Sequence, residues 1–162
     1  MLGFRSSTDS SNRVKILRNM KGDHKGFELD TELARIQFQT VHSWLTETYW
    51  SPGISIEKVI KAAEHSSIVV GCYVSDTQVA YLRIVSDKTS FAWVCDVFVH
   101  KDHRGNGIAR AMLAFAMSEP DHQDLRRWLL ATKDAHGVYQ QLGFEAIKVP
   151  SRWMIFGSNP PE

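Results

Sequence analysis

Residues 97 to 109 read Val97-Phe98-Val99-His100-Lys101-Asp102-His103-Arg104-Gly105-Asn106-Gly107-Ile108-Ala109, an apolar strand feeding a glycine-rich turn that opens an amphipathic helix. Gly105 and Gly107 let the backbone turn tightly and approach a ligand, and the unpaired N–H groups of a helix start attract an anion such as a phosphate. Arg104 adds its own charge. The same pattern also serves as a purely structural strand-to-helix connection. Neither a full G-x-G-x-x-G spacing nor a G-x-x-x-x-G-K-[ST] run occurs, which disfavours the common nucleotide-binding sites. Immediately upstream, Asp96 interrupts the apolar run Phe91 to Val99. It is either a base aimed at a substrate or a carboxylate compensated by a cation or backbone donors.

The other reactive side chains form no recognisable constellation. His24, His42, His65, His100, His103, His122 and His136 fit no familiar ligand spacing, so no metal is expected. His100 and His103 suit a polar turn near phosphate, and His136 beside Gly137 suits the same ligand's side of a later helix. Cys72 and Cys95 sit in apolar runs, beside no activating His and Asp pattern, and read as reduced, buried thiols.

The elements that must position these residues follow from periodicity. Residues 1 to 25 are polar, lack an apolar period and are expected to form a flexible arm, leaving 26 to 162 as one domain. Phe27 to Asp30 reads as a short strand. Phe38, Val41, Trp44 and Leu45 recur at helical spacing in a segment reaching Tyr49, broken by Ser51-Pro52-Gly53. Ile56, Val59, Ile60 and Ala63 mark a second helix ending near Glu64. Ile68 to Val74 and Gln78 to Val85 form a hairpin, and Phe91 to Val99 is a central strand. A helix follows Gly107 and stops before Pro120. Trp128 to Ala131 is a buried strand, and Ala135 to Leu142 a short helix with Asp134 as N-cap and Gly143 as stop. Phe144 to Val149 and Arg152 to Phe156 are candidate closing strands. The alternation predicts an α/β fold, a mixed sheet with helices on its faces.

Composition narrows the function classes. A 43% hydrophobic content over 162 residues builds one core, and nineteen basic against eighteen acidic residues leave a net charge of +1. Bulk attraction to nucleic acid or to an anionic membrane is therefore not expected. No apolar run is long enough for a membrane span and no secretory leader is evident, so a cytoplasmic location is expected.

Arg104-Gly105-Asn106-Gly107-Ile108-Ala109 resembles motif A of the GNAT superfamily of N-acetyltransferases, an Arg or Gln, two residues, Gly, one residue, then Gly or Ala. Leu129 to Phe144, ending Tyr139-Gln140-Gln141-Leu142-Gly143-Phe144, looks like the family's motif B, a strand and short helix closing on Tyr-x-x-x-Gly-Phe. The resemblance spans roughly residues 27 to 156 and is strongest from Asp96 to Phe144. It implies the acyl-CoA N-acyltransferase fold, with a mixed, mostly antiparallel central sheet. It also implies direct transfer of an acetyl group from acetyl-CoA to a primary amine of a small molecule or peptide. The amides of Arg104 through Ala109 would hold the coenzyme pyrophosphate, and Val97, Phe98 and Val99 would flank the pantetheine. Many members have Asn near Thr132; Thr keeps a hydroxyl but loses the amide's second donor.

Amide formation from a thioester needs a neutral amine, a stabilised oxyanion and a proton for the departing thiolate. Tyr139 matches the tyrosine that acts as general acid in many members; its other reading is a core tyrosine whose hydroxyl reaches water. A backbone N–H near Val97 would be the oxyanion donor, and Asp96 the base candidate. Trp50 is the aromatic residue assigned to the substrate side, whereas Trp44, Tyr49, Phe91 and Trp93 read first as packing residues. A homodimer through a sheet edge or C-terminal strand is compatible with the resemblance. A non-catalytic acyl-CoA sensor that keeps the turn without turnover is the alternative.

Overall fold

The computed structural model describes Lys15–Leu17 and residues 26–157. The strand pattern of the sequence is realised as one six-stranded sheet. Its strands are β1 (Lys15–Leu17), β2 (Phe27–Asp30), β3 (Ile68–Val74), β4 (Thr77–Ser86), β5 (Phe91–Val99) and β6 (Arg127–Leu129), paired in chain order. Each neighbouring pair from β1 to β5 is antiparallel, and β6 joins β5 in parallel. The sheet is therefore mixed and mostly antiparallel, as expected. Most of the arm expected over residues 1–25 lies outside the described residues; the part within them, Lys15–Leu17, pairs with β2.

A parallel pair cannot be joined by a hairpin, and α3 (Ile108–Met117) lies in the connection between β5 and β6. Its apolar face, Ile108, Met112, Leu113, Phe115 and Ala116, packs on Val70, Leu82, Ile84, Ala92 and Val94 of the sheet. Burying each of the larger side chains contributes roughly 1.5–3 kcal/mol. On the opposite face, α1 (Phe38–Leu45) and α2 (Ile56–Glu64) bury Val41, Leu45, Val59 and Ala63 against Val69 and Tyr81. This second layer covers β3 and β4 but leaves Phe91 and Trp93 of β5 each 38% exposed.

Several expectations needed adjustment. Helix α1 stops at Leu45, and the residues up to Gly53 form turns rather than more helix. Strand β6 is three residues long and only partly buried. Helix α4 (His136–Gln140) is capped at Ala135, whose N–H donates to Thr132 Oγ1 at 3.1 Å, so Thr132 rather than Asp134 supplies the local acceptor. Residues 144–156 form no strand. Pro150 has no N–H to give a ladder and instead opens a 3-10 turn, Pro150–Arg152, leaving Met154, Ile155 and Phe156 exposed.

Candidate active site

Strand β5 pairs with β6 only from Phe91 to Trp93. Beyond Trp93 the two strands part, and β5 continues to pair with β4 alone. The gap is a cleft of about 1370 Å³, lined by both strands, the turn before α3, α4 and the loop between α1 and α2. That is more than an ordinary small-ligand pocket offers.

Within this cleft β5 contains a bulge. Tyr81 pairs with Phe98 but Arg83 pairs with Cys95, so Leu82 stands opposite two residues, Asp96 and Val97. Asp96 takes up the extra residue in the left-handed region, at φ 53°. Asp is among the few side chains that tolerate this conformation. The consequence is a change of face. Ala92 and Val94 point to the α3 side, and past the bulge Val97 and Val99 do so instead. Phe98 is thereby turned to the α1 side, where it stacks on Trp44 with ring centroids 5.0 Å apart. Without the bulge, alternation would send the Asp96 carboxylate into the apolar core. With it, Asp96 Oδ2 accepts a 2.6 Å hydrogen bond from Arg83 Nε, the two side chains being 10% and 19% exposed. Burial works to lower the Arg83 pKa, but the adjacent carboxylate raises it. Of the two sequence readings of Asp96, the cation-paired one describes its ground state.

The turn is built as an anion cradle. Gly105 and Gly107 sit at φ 80° and 73°, conformations that favour glycine, and Gly107 is the N-cap of α3. Among the described residues, the amides of Gly105, Asn106, Gly107, Ile108 and Ala109 donate to no protein acceptor. Asn106 Nδ2 braces the turn by donating to the carbonyls of His103 and Arg104. Arg104 Nε donates to the Val99 carbonyl at 3.0 Å, fixing the base of a side chain that lines the cleft. Lys101, His103 and Arg110 line the same end, so it is basic. A Cβ at Gly105 would meet nothing within 4 Å, which leaves the cradle open to a ligand. Free amides, a helix start and local positive charge fit a pyrophosphate.

On the opposite bank, Tyr139 and Thr132 line the cleft. Burial pushes the Tyr139 phenol above its ordinary pKa, with Tyr49 and Asp134 adding to the shift, so the hydroxyl keeps its proton at neutral pH. Trp50 lines the cleft as well, with Tyr49 edge-on to it at 4.9 Å. Tyr49 also spans the cleft, since its hydroxyl accepts the Lys133 amide at 2.9 Å. Cys95 lines the wall, but burial raises its thiol pKa, with Arg83 opposing and Asp96 assisting, so it is poorly suited to be a nucleophile.

Asp96, Val97, Phe98, Val99, Arg104 through Ala109, Thr132, Tyr139 and Trp50 all come together around one cleft. His136 does not. It begins α4 as an exposed residue and is absent from the lining, because the turn of α4 directs Ala135, Val138 and Tyr139 inward instead. The sequence reasoning missed Arg83, Glu47 and the bridging role of Tyr49. An arginine within the otherwise apolar β4 run was the available signal for Arg83. Among the described residues, no group of three or more His, Cys, Asp or Glu is arranged to hold a metal, and no helix is long and apolar enough to cross a membrane.

Residues 29–144 match the profile of the Acetyltransferase (GNAT) family. Comparison with curated proteins gives no match. Among solved structures, a chain assigned to the GNAT acetyltransferases from Xanthomonas campestris pv. campestris is 36% identical, with a TM-score of 0.78 over 83% of this chain and 94% of that one. A predicted acetyltransferase from Clostridium acetobutylicum, solved with acetyl-CoA, has 16% identity and a TM-score of 0.60 over 81% of this chain and 94% of its own. Glucosamine-6-phosphate N-acetyltransferase from Arabidopsis thaliana has 12% identity and a TM-score of 0.58, covering 82% and 97%. These two share the fold.

Proposed function

The chain belongs to the GNAT acetyltransferase family, and on that premise we propose that it transfers an acetyl group from acetyl-CoA directly to a primary amine of a small molecule or peptide. The observation that carries the reading is the cleft itself, which joins free turn amides at one end to Asp96 and Tyr139 further along. Acetyl-CoA, when bound, supplies the thioester carbonyl that the amine attacks.

The chain's own residues divide the work. The amides of Gly105 through Ala109, with Arg104, Lys101 and Arg110 nearby, hold the pyrophosphate. The stretch of β5 from Val97 to Val99, which has no β6 partner, flanks the pantetheine arm, and a backbone N–H near Val97 stabilises charge developing on the carbonyl oxygen. Removing a donor of that kind costs about 3 kcal/mol of transition-state stabilisation. Asp96 takes a proton from the incoming ammonium, directly or through water, and passes it to solvent. Tyr139 protonates the departing thiolate and regains a proton from the acylated nitrogen. The carbon–sulfur bond breaks as the carbon–nitrogen bond forms, and the two protons lost by nitrogen are accounted for. Tyr139 lines the cleft with its hydroxyl protonated at neutral pH, the form a general acid requires.

Cys72 and Cys95 are both free thiols, which supports a reducing, cytoplasmic setting. The test is to incubate the chain with acetyl-CoA and a panel of primary amines, following free thiol and acetylated product by mass spectrometry. Stoichiometric thiol and amide are expected. Coenzyme binding without transfer to any amine would instead favour a sensor.

A further inference from the structure

The Arg83–Asp96 pair occupies the wall of the cleft but uses only part of its bonding capacity. Arg83 donates through Nε and Asp96 accepts through Oδ2. Among the described residues, no partner binds the two terminal guanidinium nitrogens or Asp96 Oδ1. Two donors and one acceptor oxygen of opposite charge therefore remain side by side. Both side chains line the cleft and are largely buried. Water in the cleft can complete them, and a ligand that presents an anion and a cation together replaces that water on both partners at once.

We propose that the acceptor is a free α-amino acid with a large apolar side chain, held as a zwitterion with its carboxylate on Arg83 and its ammonium on Asp96. This deepens the acetyltransferase reading and rests on it. A simple amine would satisfy Asp96 and leave the terminal guanidinium nitrogens of Arg83 to water. A zwitterion carries both charges on one carbon and meets a self-neutral pair without adding net charge to the cleft. A polyamine would bring a second cation whose further counter-charges on the lining, Glu47 and Asp134, are both exposed and therefore strongly screened. Trp50 and Trp93, each 38% exposed, line the cleft with Tyr49 and supply flat apolar surface for the amino-acid side chain. The ammonium on Asp96 is placed to lose its proton to Oδ1, so recognition and activation use the same carboxylate.

The experiment compares kcat/KM for L-phenylalanine, L-tryptophan and L-leucine with phenethylamine, tryptamine and isoamylamine, and with the amino-acid amides. Spermidine and a lysine peptide complete the panel. The amino acids are expected to exceed their decarboxylated and amidated counterparts by about 100-fold, since a site built for a polar group rejects analogues lacking it. In Arg83→Gln that ratio should collapse to within about tenfold while the Kd for acetyl-CoA stays unchanged. Preference for spermidine, the lysine peptide or the decarboxylated amines would overturn the proposal, as would a ratio that survives in Arg83→Gln. Should that variant not fold, the wild-type ratios decide alone. Failure of the wild type to bind acetyl-CoA is a different result and would remove the underlying acetyltransferase reading.

Discussion

The hydroxyl of Tyr49 accepts the backbone amide of Lys133 at 2.9 Å, tying the loop between α1 and α2 to the loop between β6 and α4 across the mouth of the cleft. The residues are 84 positions apart, and this bond encloses the ligand path without covalent restraint. Tyr49→Phe keeps the ring and its contact with Trp50 but leaves the Lys133 N–H to water. The loss should be about 1 kcal/mol locally. Faster amide exchange at Lys133 and a severalfold higher KM for the acceptor are expected, with the thermal midpoint nearly unmoved; unchanged exchange would remove the bridge from the account.

Asp96→Asn isolates the carboxylate's charge. Arg83 then keeps its buried position without a counter-ion, a situation that typically costs about 3–5 kcal/mol. Chemical denaturation should show that loss, and turnover should fall with it. The double variant Arg83→Met with Asp96→Asn, whose amide tolerates the same left-handed backbone, should recover much of the stability and none of the turnover. Recovered turnover would show that the pair has no part in the reaction.

Tyr139→Phe removes the proposed acid while preserving the ring that packs edge-on to Phe144 at 6.0 Å. General acid catalysis contributes about 10²–10⁴-fold, so kcat should fall by at least about 100-fold. The acetyl-CoA affinity should hold. Because burial raises this phenol's pKa, the wild-type alkaline limb assigned to Tyr139 should lie above its ordinary value of 10.0. That limb should be missing from the variant's profile of kcat against pH.

Tyr81 is fully buried, and among the described residues its hydroxyl is the one buried side-chain polar atom without a hydrogen-bond partner. Tyr81→Phe should therefore be neutral or stabilising by about 1 kcal/mol, unlike the usual loss on trimming a core residue. Burial, reinforced by Asp96, holds the Tyr81 pKa well above its ordinary range. A raised pKa means the folded state retains its proton more tightly than the unfolded chain. The resulting stability is complete below the unfolded value of about 10 and is lost as pH rises beyond it toward the folded value. The variant should show a shallower alkaline decline in its thermal midpoint. A large loss at neutral pH would mean that the hydroxyl has a partner such as a bound water.

The parts of this architecture that were legible in the sequence are those fixed by local chemistry. The turn at Arg104 to Ala109 could be read because Gly105 and Gly107 supply the conformations it needs, and α2 because its apolar positions repeat at helical spacing. The central strand was legible from an apolar run that Asp96 alone interrupts. What alternation along β5 could not reveal was the bulge at Asp96, since an extra residue leaves no trace in the composition of either strand, and the face presented by Asp96 and Phe98 depends on it. The Arg83 pairing follows from that register. The closing strands failed for a related reason: apolar residues over 144–149 and 152–156 name candidates for pairing but supply no partner, and Pro150 lies between the two segments. His136 was misplaced because a one-residue rotation of a short helix decides whether a side chain faces the cleft or solvent.

The central claim is that the turn before α3 holds the coenzyme, and calorimetric titration of acetyl-CoA tests it most directly. The intact chain is compared with Gly107→Trp, after circular dichroism has established that the variant is folded. Gly107 is at φ 73°, and a Cβ there would approach Arg110 Nη2 to 3.3 Å, so the indole must crowd the cradle. Saturable binding by the intact chain, weakened at least about tenfold in the variant, or about 1.4 kcal/mol, is the predicted result. An intact, folded chain that takes up no acetyl-CoA would contradict the account.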